Sequence, residues 1–129
     1  MTSSTAASAA WPTEIRLSAD KKTLTVAFDD GTRHALDAEF LRVMSPSAEV
    51  QGHSAAERKT VGGKMNVTII GVEPVGNYAV RLVFDDMHNT GLYTWAYLFE
   101  LGRDREGRWA GYLADLAAKG LARDRPGQK

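Results

Sequence analysis

Apolar and polar positions alternate from the first structured residues onward. Ile15 and Leu17 stand between Glu14, Arg16 and Ser18; Leu24, Val26 and Phe28 are interleaved with Thr23, Thr25 and Ala27. A period of two predicts half-buried strands. Asp20-Lys21-Lys22 predicts the turn between them, and Asp29-Asp30-Gly31 predicts a hairpin leading into a strand over 33–36, since Asp-Gly supplies positive φ angles. The first third therefore reads as a three-stranded meander. Asp37 is placed to cap a short helix running to Met44, with Glu39, Phe40, Leu41 and Met44 on one face.

Residues 45–63 are a long polar stretch, a length that in compact domains marks a functional or mobile connection. The run 67–75 is the most apolar of the chain and predicts a buried strand, paired through Gly76-Asn77 with an alternating strand over 78–84. A second polar loop covers 85–90, and Leu92-Tyr93 predicts a short strand. Thr94 is an N-cap candidate for a helix bearing Trp95, Tyr97, Leu98 and Leu101, ended by Gly102. A last helix is predicted over 108–119, with Trp109, Leu113 and Leu116 on one face and Gly120 as its stop. Strands first and helices last give an α+β fold: small antiparallel sheets, a meander plus a central hairpin, packed with short helices, two of them C-terminal. The expected organisation is a tail over 1–11, one domain over 12–120 and a frayed tail over 121–129.

Composition narrows the function. The chain has 129 residues and a net charge of zero, so no basic excess points to nucleic acid or a membrane surface. It has no cysteine, which removes disulfides, thiolate metal sites and a cysteine nucleophile. No apolar run approaches a membrane span. The Ser/Ala/Thr-rich start lacks the features of a signal peptide, and the expected location is cytoplasmic.

The candidate chemistry is sparse. His34, His53 and His88 are the only histidines. His88 sits in Asp85-Asp86-Met87-His88-Asn89, a set that could hold a metal or act as acid and base, and that equally describes a solvated turn. His53 beside Ser54 makes no triad, and Gly62-Gly63-Lys64 lacks the spacing of a phosphate loop. Lys21, Lys22, Arg58, Lys59, Arg123 and Arg125 read as solvated charges. Tyr93, Trp95 and Tyr97 form an aromatic group that is either a core corner or a docking surface.

Three stretches carry a resemblance: Leu41-Arg42-Val43-Met44-Ser45-Pro46-Ser47-Ala48-Glu49-Val50-Gln51-Gly52-His53, Val72-Glu73-Pro74-Val75-Gly76-Asn77-Tyr78-Ala79, and the run 84–98 from Phe84 to Leu98. Together, from about Pro12 to Gly102, the chain resembles the γ-butyrobetaine hydroxylase-like N-terminal domain family. In the hydroxylases of that family the domain precedes a catalytic Fe(II)/2-oxoglutarate jelly roll. It also occurs attached to P-loop iron–sulfur carrier ATPases and as separate bacterial proteins. The resemblance implies a structural zinc site of three cysteines, spaced C-x-C-x-x-C, and one histidine. Those cysteine positions fall on Ser45, Ser47 and Val50, and the histidine on His88. Met87 stands where the family usually has glycine, which puts that loop's backbone in question.

The resulting expectation is a non-catalytic accessory or interaction module, linked to redox or iron–sulfur proteins, with an unidentified protein partner and with self-association open. Its expected surface comprises Arg42, Ser45, Ser47, His53, His88, Tyr93 and Trp95. The alternative is a weak zinc or iron site built on His88 with Asp85, Asp86 or His53; otherwise no cofactor is expected. An oxidoreductase reading follows from the family name alone, because the jelly roll and its metal triad belong to a separate domain.

Overall fold

The computed structural model describes residues 11–46, 60–89 and 91–124. Strands β1 (Pro12–Leu17), β2 (Thr23–Phe28) and β3 (Arg33–Asp37) form an antiparallel sheet in the order β1-β2-β3. Ile15 lies opposite Val26, which in turn faces His34, and Leu24 pairs with Leu36. The meander is thus as the alternation predicts. Helix α1 (Ala38–Val43) follows directly. Asp37 does not cap it with its side chain; that carboxylate instead accepts from Arg105 at 2.9 Å.

The second sheet has the order β4-β5-β6, with β4 (Ile69–Val75), β5 (Ala79–Phe84) and β6 (Gly91–Thr94). The central hairpin therefore carries a third strand. The 67–75 run is not a buried strand: β4 lies at the sheet edge, with Glu73 and Pro74 exposed and Ile70 56% exposed. Pro74 has no N–H for a ladder, which suits an edge and not a centre.

Helices α2 (Trp95–Arg103) and α3 (Arg105–Ala118) close the chain. Thr94 caps α2 as expected, its hydroxyl accepting from the Tyr97 amide at 3.1 Å. Gly102 does not end α2. It lies inside the helix, and a Cβ there would fall 2.3 Å from the His34 ring. That ring packs edge-on against Phe28 and Phe99, so glycine is the residue that lets α2 approach β3. Helix α3 begins at Arg105, before the predicted 108, and ends at Ala118, with Gly120 just beyond it in a left-handed turn. There the Leu121 amide donates to the Leu116 carbonyl and the Gly120 amide to that of Ala117. Leu116 is buried as expected, and Tyr112 with it, but Leu113 is exposed.

One continuous core joins both sheets and two of the helices: Leu24, Val26 and Leu36, Phe40 and Leu41, Ile69, Leu82 and Phe84, then Leu98 and Leu101. A smaller cluster of Val43, Tyr112 and Leu116 seats α3 beside α1. Arg123 is exposed, as expected of a solvated charge, but it is also paired. Its guanidinium donates twice to Glu39, at 2.9 and 2.7 Å, and lies over the Trp109 ring. The Gly63 amide donates to the Ala122 carbonyl and the Met65 amide to that of Arg123, so 121–123 binds 63–65 to the body of the fold.

Candidate functional site

Three segments converge at the end of α1. The last turn of α1 brings Arg42 and the residues after it bring Ser45; the segment before β4 brings Lys64; the β5–β6 loop brings Asp86 and His88. Ser45 Oγ lies 2.9 Å from His88 Nε2, the hydroxyl donating where that nitrogen is unprotonated and accepting where it carries hydrogen. The contact needs a glycine at the start of β6, because a Cβ on Gly91 would fall 2.7 Å from Ser45 Oγ. Phe84 packs against the His88 ring on another side.

Asp86 is the hub of the charges. Its Oδ2 accepts from Arg42 Nε at 2.8 Å and pairs with Lys64 Nζ at 2.5 Å, while Oδ1 accepts the His88 amide at 3.2 Å. Burial alone would raise this carboxyl. The hydrogen bonds from Lys64 and Arg42 and the Arg42 charge outweigh it and hold Asp86 below the usual carboxylate range. Beneath the cluster, Tyr93 donates to the Leu41 carbonyl at 2.5 Å, and burial pushes its phenol far above the ordinary value. Tyr97 donates to the Met44 carbonyl, also at 2.5 Å. The two tyrosines thus hold the chain at Leu41 and at Met44, next to Arg42 and Ser45.

The loop that could be read as a solvated turn thus directs Asp86 and His88 inward and leaves Asp85, Met87 and Asn89 exposed. The Asp86 side chain is 9% exposed and His88 is buried, whereas Asp85 is exposed and accepts the Thr68 amide. Met87 is the exposed tip, at 88%, and keeps the left-handed backbone (φ 75°) that glycine favours. The expected surface needs correction. Arg42, Ser45, His88 and Tyr93 are buried in the packed interior and form no surface. Trp95 is half-buried, its indole N–H donating to the Asn77 carbonyl. Ser47, Val50 and His53 lie outside the described residues.

The residues present do not fit a zinc ion of the kind the resemblance implies. Serine and valine supply no thiolate, His88 Nε2 is directed at Ser45, and Asp86 is committed to two cations. Among the described residues no group of three or more His, Asp or Glu side chains could hold a metal ion. Sequence reasoning missed Lys64 and the role of Asp86. The available signal was Arg42 itself, a charge between Leu41 and Val43 in an apolar run, which demands a buried partner.

This is a small α+β domain whose polar centre is sealed by its own side chains. The chain belongs to the γ-butyrobetaine hydroxylase-like N-terminal domain family, whose profile matches residues 15–99. A protein solved in solution by NMR is 48% identical, with a TM-score of 0.79 over 93% of this chain and 94% of its own. A second NMR structure is 45% identical, with a TM-score of 0.76 over 88% and 85%. A crystal structure from Acidithiobacillus ferrooxidans ATCC 23270, a protein of unknown function of the DUF971 family, is 41% identical. Its TM-score is 0.59, over 70% of this chain and 91% of that one. No curated protein matches the chain significantly. Among the described residues no helix is long and apolar enough to cross a membrane.

Proposed function

We propose that the chain is a non-catalytic accessory module that docks on a protein partner of the redox or iron–sulfur class. The observation that carries this reading is the closure of the candidate site. Ser45, His88, Asp86, Arg42 and Lys64 are engaged with one another, and the hydroxyl closest to an imidazole is fully buried. A nucleophile without access to substrate does no chemistry. Function then falls to the outer surface beside the cluster. There Met87 (88% exposed), Asn89 and Leu92 (40% exposed) take the place of the buried residues of the same segment. The class of partner rests on the company that related domains keep.

Affinity capture with the wild-type chain and with a Met87→Glu/Leu92→Glu variant tests this reading. A reproducible partner with a redox or iron–sulfur centre, lost in the variant, supports it. Partners retained in the variant, or none with such a centre, contradict it. Light scattering on the same two proteins reports whether that face instead joins two copies of the chain.

A further inference from the structure

Gly62-Gly63-Lys64 is no phosphate loop, and the fold puts it to another use. A Cβ on Gly62 would fall 2.8 Å from the Ala122 carbonyl oxygen, so glycine is what lets the C-terminal segment lie this close. Gly63 has a left-handed backbone (φ 73°), and its amide donates to that same carbonyl at 2.9 Å. The Met65 amide donates to the Arg123 carbonyl at 3.0 Å. Between these two amides, the Lys64 side chain reaches Asp86. Residues 62–65 are thus a seat for 121–123 and at the same time carry a member of the polar cluster.

The clasp on the seated segment is Arg123, which donates to both Glu39 oxygens and lies 5.3 Å from the centre of the Trp109 ring. The segment is exposed, and it leaves α3 through Gly120, a left-handed residue (φ 68°) with nothing within 4 Å of an added Cβ. An unobstructed hinge is therefore followed by a charged clasp. Separate bonds tie α3 to the residues before the seat, from Tyr112 to the Val61 carbonyl and from Lys119 to Thr60 Oγ1, so release of 121–123 loosens 62–65 alone. Holding four residues of irregular chain in one conformation costs more than a single ion pair returns, so Lys64 stays on Asp86 only while the seat is filled. We propose that residues 121–123 are a latch on the polar cluster: seated, they set Lys64 on Asp86; swung out at Gly120, they let Lys64 leave and open the Asp86 side of the cluster to water. The inference is independent of the docking reading, since it needs no protein partner.

The test is native-state amide hydrogen exchange, read by NMR on the full chain. The Gly63 and Met65 amides report the seat, the His88 amide on Asp86 Oδ1 reports the cluster, and the amides of β2 report global unfolding. Arg123→Gln removes the clasp at an exposed position. Relative to β2, exchange at Gly63, Met65 and His88 is expected to rise together by about tenfold, the loss of one charge-assisted hydrogen bond. Lys64→Gln leaves the latch seated, so it should speed His88 and spare Gly63 and Met65, which fixes the direction of the coupling. Faster exchange at Gly63 and Met65 with His88 unchanged in Arg123→Gln overturns the proposal. So does a rise no larger than that of β2, or no change at any reporter.

Discussion

Asp86→Asn replaces the acid of the cluster by a neutral side chain of the same size and leaves Arg42 and Lys64 facing each other. Removing one partner of a buried ion pair costs about 3–5 kcal/mol, because the remaining charge stays desolvated. Lys64, at 21% exposure, can carry its ammonium to water on its long stem and lose little. The Arg42 side chain, at 11%, cannot. The expected loss is therefore at the low end, about 3 kcal/mol, a large part of the roughly 5–15 kcal/mol of a typical domain. For a chain of this length it lowers Tm by about 10 °C. Urea unfolding followed by tryptophan fluorescence measures it, with an unchanged slope confirming a native-state effect.

The pH dependence makes the same prediction sharper. Because the folded value of Asp86 lies below the ordinary one, its contribution is complete above the unfolded pKa, near about 4. It is lost as pH falls through the folded value. The stability gap between wild type and Asp86→Asn should be flat at neutral pH and close below about pH 4. A loss under about 1 kcal/mol, the size of an exposed pair, refutes the reasoning, as does a gap that persists at acid pH.

Other substitutions test the packing. Gly102→Ala forces a methyl into the His34 ring and should cost about 1–3 kcal/mol by overpacking; His34→Ala in the same chain should recover part of it in a double-mutant cycle. Gly107 and Gly111 lie inside α3 with nothing within 4 Å of an added Cβ, so each change to alanine should stabilise by about 0.5–1 kcal/mol in thermal unfolding. Met87→Gly relieves a left-handed backbone and should gain up to about 1 kcal/mol after the added entropy of glycine is deducted; a clear loss would show that the methionine side chain holds the loop.

The meander was legible because its signals are local. Alternation set the faces of β1 and β2, and a glycine at φ 91° closed the turn between β2 and β3. The cap of α2 by Thr94 and the stop at Gly120 were legible for the same reason. What escaped depends on partners distant in the chain. Asp37 has the chemistry of a cap, but Arg105 competes for it from 68 residues away. Gly102 has the chemistry of a stop, but close packing on His34 uses it inside the last turn, and the helix runs on to Arg103. Arg123 looks solvated until Glu39, 84 residues earlier, is placed beneath it. For the site, the family pattern pointed to Ser45 and His88, and the structure brings them to 2.9 Å. Their burial was not legible, because Asp85-Asp86-Met87-His88-Asn89 has the composition of an exposed turn and is drawn inward by Arg42 and Lys64.

The central proposal is that Ser45 and His88 close, with a hydrogen bond, the position where the resemblance to the hydroxylase domains implies metal ligands. Metal analysis of untagged protein, wild type beside Ser45→Cys/Ser47→Cys/Val50→Cys, tests it most directly. The account predicts no stoichiometric metal in the wild-type chain, and stoichiometric zinc with a raised Tm once the thiolates accompany His88. Tightly held metal in the wild type, or a triple variant that folds and takes up no zinc, would contradict it.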